Sequence, residues 1–263
     1  ASSQTVKIQN ANLENENVRV NSSDIFTTQL TFEIDHYIEN DNGNGKIFRL
    51  SEGAQILKLG APDLPKKSAS IIIPDNQKMN INILNSEYTE YENVNVIPSK
   101  GNLSRLVNPA DIPLDFGDEY SKDEFFPGNL AELGDPYILR DVRGISVISY
   151  PFQYNPVSKV LRIYNKIEVE VVSNGRGIIN VLNRDTTPTT RSFEYENIYK
   201  SHFLNTQNDT RFDYVVDHGN LLIISNEAFL STMEPLVEWK TLKGIPVEMI
   251  GVSEAGGSAT AIK

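Results

Sequence analysis

The chain has 263 residues, 39% of them apolar, with 24 Lys and Arg against 35 Asp and Glu for a net charge of −11. That apolar share can bury a core, which excludes wholesale disorder, and the length points to two domains. The acidic balance argues against nucleic acid and anionic membrane surfaces, and the lack of cysteine excludes disulfides, thiolate metal sites and a cysteine nucleophile within the chain.

No run approaches the roughly 18 apolar residues of a membrane span. The opening Ala1-Ser2-Ser3-Gln4 has neither a basic n-region nor an apolar h-region, so the expectation is a chain whose signal peptide has been removed. Residues 1 to about 175 read as β-rich. Thr27 to Ile34 carries the alternation and β-branched content of a half-buried strand, and Asp41-Asn42-Gly43-Asn44-Gly45 reads as a tight turn. Ser70 to Ile73 is a short apolar run stopped by Pro74, while Met79 to Leu84 and Val94 to Ile97 alternate. Ile145 to Tyr154 and Lys159 to Tyr164 flank the turn Asn155-Pro156-Val157-Ser158 as a hairpin, with Lys166 to Val172 extending its second strand.

Between Ile97 and Gly134 the periodicity fails, with Pro98, Pro109, Pro113 and Pro127 as punctuation. A stretch of this length without regular structure inside a domain points to a functional loop. Residues 173 to 211 read as a polar linker holding a short helix near Glu194 to Leu204. After Arg211 the pattern changes. Leu221 to Ser225 is continuously apolar, as a strand buried on both faces is, and an amphipathic helix over Glu227 to Lys243 follows. Pro235 predicts a kink or a restart within that helix, Gly244 its C-cap, and Ile245 to Ile250 the next strand. Strand, helix and strand in about 30 residues make a βαβ unit with a parallel pair.

Several stretches together resemble the gingipain family of cysteine peptidases, in particular the prodomain of its arginine-specific members. They include Val96 to Gly101 with Ser104-Arg105, Asp123 to Gly128, Asp135 to Gly144, Tyr154 to Tyr164, and Ile198 to Ser201. From residue 212 onward, Leu222 to Ile224 and Val237 to Lys240 look like the first strand and helix of the family's catalytic domain. The resemblance implies a mainly β, β-sandwich-like prodomain over 1–211, then the first βαβ unit of an α/β, caspase-like domain over 212–263. Within the prodomain the expected inhibitory loop spans about 97–117 and the expected linker about 173–211. The implied protein is a secreted or cell-surface zymogen of a Gram-negative bacterium, an endopeptidase cutting protein or peptide substrates after Arg or Lys. The family's His/Cys dyad would lie beyond this chain, so no catalytic residue is expected in it. The partner implied is the remainder of the catalytic domain as a second chain. No cofactor is implied, calcium being a matter for the catalytic domain.

By residue type alone Arg105 is a solvated surface arginine. The resemblance places it where the family's inhibitory side chain reaches the active-site cleft, with Lys100 as a second candidate for a lysine-preferring pocket. A planar guanidinium suits a carboxylate-lined pocket. Arg211-Phe212 matches the family's activation junction and lies in the polar run Asn205 to Thr210, the kind of segment where nicking concentrates; Arg191 is an alternative cut. Lys263 follows what reads as the first turn of a helix capped by Ser258, which suggests either an internal cleavage after this lysine or an imposed end of the chain. The pair His218-Gly219 precedes the first apolar block, not a later one, and is set aside as chance. His36, His202 and His218 are scattered, and Asp115, Asp118, Glu119, Asp123 and Glu124 lack a calcium-loop spacing, so no metal site is expected. The rival reading is a non-catalytic secreted β-sandwich adhesion or binding module. It would require an aromatic platform, whereas the aromatic residues fall within strand patterns.

Overall fold

The computed structural model describes residues 2–8, 18–184, 190–206, 213–215 and 219–262. Two compact units are present, one of residues 1–187 with 198–210 and one of residues 188–197 with 211–263.

The first unit is built from antiparallel strands: β1 (Ser2–Lys7), β2 (Val18–Ser23), β3 (Thr27–Glu33), β4 (His36–Asp41), β5 (Lys46–Arg49), β6 (Ala54–Gln55) and β7 (Pro65–Ile72). Next come β8 (Gln77–Tyr91), β9 (Ala131–Leu133), β10 (Tyr137–Leu139), β11 (Val142–Ser149), β12 (Phe152–Asn155) and β13 (Val160–Arg176). They form a small sheet β1-β4-β5 and two larger ones, β10-β11-β7-β6 with β9 on β11, and β12-β13-β3-β2 with β8 on β13. Period-two burial explains the pairing of the last two into a sandwich. On β13, Ile167, Val169 and Val171 point inward, and they meet Leu30 of β3, Ile71 of β7 and Val147 of β11 in one core. A second core centres on the rings of Tyr37, Phe48 and Phe152, whose centroids lie 5.5–5.8 Å apart. Such tilted and edge-on ring pairs add to the burial.

The turn expected at Asp41 to Gly45 joins β4 to β5, closed by Asn42 N–H donating to Gly45 O at 3.3 Å. Two expectations in this unit are corrected. Ile145 to Tyr154 is not one strand of a hairpin but parts of two strands in different sheets, β11 on β7 and β12 on β13. Pro151 has no N–H to give to a ladder, and the chain changes sheets there. Only Phe152 to Asn155 makes the expected hairpin, pairing with Val160 to Ile163. Val94 to Ile97 is not a ladder strand either; it has an isolated bridge from Val96 to Lys46 and backbone bonds to three separate segments, Ile97 N–H donating to Lys46 O at 3.1 Å, Val94 N–H to Lys159 O at 3.0 Å, and Ile97 O accepting from Asp63 N–H at 2.9 Å.

The described parts of the expected linker, residues 173–184 and 190–206, carry regular structure and backbone bonds. The strand β13 runs on to Arg176, and Leu182 N–H donates to Asp75 O at 2.9 Å. The expected short helix is α1 (Phe193–His202); Tyr199 within it and Phe203 just beyond it are 2% and 1% exposed in a third core with Val142. Asn205 then takes the place of a strand neighbour: its carbonyl accepts from Ile72 N–H at 2.8 Å and its amide donates to Ile72 O at 3.0 Å. Among the described residues Arg143, 1% exposed, is the largest side chain wholly inside. Its guanidinium donates to the carbonyls of Asn180 (2.8 Å), Pro74 (2.8 Å), Gln77 (2.7 Å) and Ile179 (2.9 Å). Beside it Arg184 holds Asp75 by two bonds of 2.7 and 2.8 Å.

The second unit contains β14 (Thr190–Ser192) parallel to β15 (Asp213–Val215), and β16 (Leu221–Ser225), α2 (Leu230–Leu242), β17 (Val247–Gly251) and α3 (Ala259–Ile262). Strands β16 and β17 pair in parallel over five residues, so the strand–helix–strand reading is realised. Asn226 opens the helical segment, its side chain accepting from Ala228 N–H at 3.0 Å. The kink expected at Pro235 does not divide α2, which is one helix through it; the carbonyl of Ser231 that loses its partner belongs to an exposed residue and can take water instead. Gly244, at φ +79°, ends α2: its N–H donates to Thr241 O and that of Ile245 to Lys240 O. That pair of bonds needs a left-handed residue, which glycine supplies without strain. No helix among the described residues is long and apolar enough to cross a membrane.

Candidate functional site

The irregular segment 97–117 is buried and hydrogen-bonded at its base and exposed at its tip. The residues leading into it are buried: Val94, Val96 and Ile97 are 7%, 0% and 4% exposed, and Ser99 only 3%. Two phenols fix their carbonyls, Tyr154 donating to Val94 O at 2.9 Å and Tyr120 to Val96 O at 2.8 Å. Burial pushes both phenols above their ordinary value, so each stays a protonated donor. Ser99 N–H adds a bond to Ala61 O at 2.7 Å. The segment leaves through Gly117, whose N–H donates to Gly60 O at 2.9 Å. Gly60 sits at φ +79°, and a Cβ there would lie 3.0 Å from Gly117 Cα, so only glycine lets the two backbones approach.

Between these ends the loop braces itself. Lys100 Nζ donates to Pro109 O at 2.6 Å, tying its two limbs. Asn108 caps a short 3₁₀ turn, Pro109–Asp111, by accepting from Ala110 N–H at 3.1 Å. At the tip Ser104, Arg105, Leu106 and Val107 form a β-turn: Val107 N–H donates to Ser104 O at 3.0 Å and Leu106 N–H to Ser104 Oγ at 3.3 Å. Arg105 is therefore at a corner of the turn, exposed, with no hydrogen bond or ion pair of its guanidinium among the described residues. Leu106 is 96% exposed, and Leu59, Val107 and Phe116 add exposed apolar surface. A cation without a partner, on a corner held from below and flanked by apolar side chains, can enter a pocket at little cost in ordering.

The structure does not present Lys100 as it presents Arg105, because its ammonium faces inward to Pro109. The acidic residues nearby are engaged structurally. Glu119 pairs with Lys58, whose hydrogen bond lowers the Glu119 carboxyl below its ordinary value, and Asp123 accepts from Asn155 Nδ2 at 2.8 Å. Among the described residues no three His, Asp or Glu side chains gather as a metal would need. His36 faces Asp35 at 2.8 Å, and His202 lies 2.7 Å from the Tyr137 hydroxyl. The backbone of Arg191 is in the parallel ladder of β14, opposite Tyr214. Arg211, Phe212, His218 and Lys263 lie outside the described residues.

Sequence reasoning missed the supports of the loop. Ser104 next to Arg105 was a visible turn signal, since Ser favours the first position of a turn. Tyr120, Tyr154, Gly60 and Gly117 gave none, because their partners lie 24 to 60 residues away or depend on backbones meeting.

A family model described as Propeptide_C25 matches residues 9–203. Gingipain R2 of Porphyromonas gingivalis (strain W83) is 34% identical over 253 residues, which cover 94% of this chain and 34% of that protein. Gingipain R1 of Porphyromonas gingivalis is 33% identical over 254 residues, or 94% of this chain and 25% of that protein. The chain thus spans about a third or less of these relatives. Among solved structures, the complex of Porphyromonas gingivalis RgpB pro- and mature domains matches with a TM-score of 0.65 at 37% identity, covering 73% of this chain and 97% of that one. A structure described as bearing on the zymogenic latency of gingipain K shares the fold, with a TM-score of 0.54 at 17% identity.

Proposed function

This chain belongs to the C25 propeptide family, and from that premise we propose that residues 1–211 are the inhibitory prodomain of a gingipain-like cysteine endopeptidase. Residues 212–263 open its catalytic domain, and the whole is a secreted precursor kept latent until cut at Arg211-Phe212. The prodomain lies across the active-site cleft of its own peptidase. Arg105 fills the pocket that would otherwise receive the basic residue of a substrate. The observation that carries this reading is the free guanidinium of Arg105 on a loop tied at both ends. Arginine's planar fork meets a pocket carboxylate with two bonds, and a loop already ordered loses little entropy on docking.

The test is inhibition of mature gingipain R2, the relative at hand, by the full chain, with an arginine peptide as reporter. Inhibition at micromolar concentration is expected, and none would sink the reading. R105A should raise the inhibition constant about 30-fold or more, the loss of an anchor of about 2 kcal/mol. An unchanged constant removes Arg105 from its role.

A further inference from the structure

Three Asn-Gly steps occur in the chain, Asn42-Gly43, Asn44-Gly45 and Asn174-Gly175. Glycine after asparagine leaves the peptide nitrogen open to the side-chain carbonyl before it, because no Cβ stands in the way. By sequence the three steps are chemically alike. The structure separates them.

At the β4–β5 turn the groups that would react are held. Asn42 Oδ1 accepts from Asn44 N–H at 3.0 Å, and Gly43 N–H donates to Asp41 Oδ1 at 2.8 Å. Asn44 O accepts from Asn95 Nδ2 at 3.0 Å, and a Cβ on Gly45 would lie 2.8 Å from Asn95 O, so this step is wedged against its neighbours. Near the end of β13 the situation is different. The ladder with β8 pairs Ser173 with Met79 and resumes with Arg176 at Gln77, which leaves Asn174 and Gly175 bulged out without ladder partners. Both are exposed, and the Asn174 side chain has no hydrogen bond among the described residues. A Cβ on Gly175, at φ +78°, would meet nothing within 4 Å.

We propose that Asn174 is a modification site, where the bulge of β13 permits spontaneous conversion of the asparagine to aspartate and isoaspartate. The Gly175 nitrogen attacks Asn174 Cγ, a C–N bond forms, and the bond from Cγ to the side-chain nitrogen breaks. The proton lost by the Gly175 nitrogen goes to the departing nitrogen, which leaves as ammonia, and a succinimide ring remains. Water then opens the ring at one of its two carbonyls. Breaking the new bond at Cγ gives aspartate. Breaking the bond at the Asn174 main-chain carbonyl gives isoaspartate, whose backbone runs through Cβ and Cγ and is one carbon longer. The ends of the bulge are fixed, Ser173 N–H donating to Phe26 O at 2.8 Å and Gly177 N–H to Asn76 O at 2.9 Å. A carbon added between them presses on a crowded point, since a Cβ on Gly177 would lie 2.9 Å from Gln77 O and 3.2 Å from Arg143 Nη2. The isoaspartyl chain therefore strains the carbonyl cradle of Arg143.

The full chain, folded and in urea, is incubated at mildly alkaline pH and digested with trypsin. Each asparagine is followed by the mass gained when amide becomes acid, fragmentation separating Asn42 from Asn44, and isoaspartate is counted with an isoaspartyl methyltransferase. In the folded chain Asn174 should convert about tenfold faster than Asn42 or Asn44, the order expected when one hydrogen bond need not first be broken. In urea the three rates should converge. N174Q should remove the signal at this position and leave the other two unchanged. It should also keep its urea midpoint on ageing, while that of the wild type falls. Equal rates in the folded chain overturn the proposal. So does a preference for Asn174 that survives in urea, which would make it a matter of sequence and not of the bulge. A converted wild type whose midpoint holds overturns the strain on Arg143. None of these outcomes depends on the proposed function.

Discussion

Arg143 shows how far a side chain's role can depart from its type. A buried guanidinium is normally matched by a carboxylate, yet this one is satisfied by four peptide carbonyls, and burial lowers its pKa from the ordinary arginine value. It thereby fixes the turn at 74–77 and the strand of chain at 179–180. R143A should cost about 3 kcal/mol or more, because the carbonyls it leaves stay buried. A lower urea midpoint would report it, and R143K should recover only part, since three donors on a point charge cannot reach four carbonyls. Nothing in Val142-Arg143-Gly144-Ile145 announces this, because the partners are 36 to 69 residues away. Asp63 gives a pH signature. Burial raises its carboxyl above the ordinary 3.8, against the hydrogen bond from Gln55 and the charge of Arg49. The folded chain therefore keeps this proton to higher pH than the unfolded chain does, and stability falls as pH climbs through that window. D63N should remove that part of the slope and gain stability relative to wild type above the window, read from urea midpoints across the acidic range.

At the scale of elements, the features legible in the sequence are those whose causes are local. Gly244 stops α2 for a reason contained in five residues, and the βαβ order follows from an apolar block, an amphipathic stretch and a second block. The break at Pro151 is not legible in the sequence, because ten residues of strand-like chemistry are continuous there and only the sheet partners reject a residue lacking an N–H. The loop's braces were hidden for the same kind of reason, being made with Gly60, Tyr120 and Tyr154 from elsewhere in the sequence. The close fit of β11 to the segment after α1 was equally unreadable. A Cβ on Gly144 would lie 2.4 Å from Phe203 Cε1 and 3.0 Å from Tyr137 Cζ. G144A should therefore cost about 1–3 kcal/mol through overpacking, measured as a lower midpoint of thermal or urea unfolding.

At the scale of the molecule, the two grammars seen in the sequence correspond to two kinds of architecture, an antiparallel sandwich and a parallel βαβ unit. The proposed activation point falls between them. Incubating the full chain with a trace of gingipain R2 should produce a fragment beginning Phe212-Asp213-Tyr214, identified by N-terminal sequencing, and R211Q should abolish it. Cutting at Arg191 instead would require opening the ladder that β14 makes with β15, so it should be the slower event.

The amide of Asn205 gives this cut a particular outcome. It stitches the end of the sandwich into β7 upstream of the junction, so severing the backbone downstream undoes none of that stitching. On the proposed function, the liberated piece would stay a shaped plug and not a frayed tail, as fit to sit in the proposed cleft after the cut as before. Latency would then end in two separable stages, scission first and departure second, the latter governed by dilution or by destruction of the plug itself.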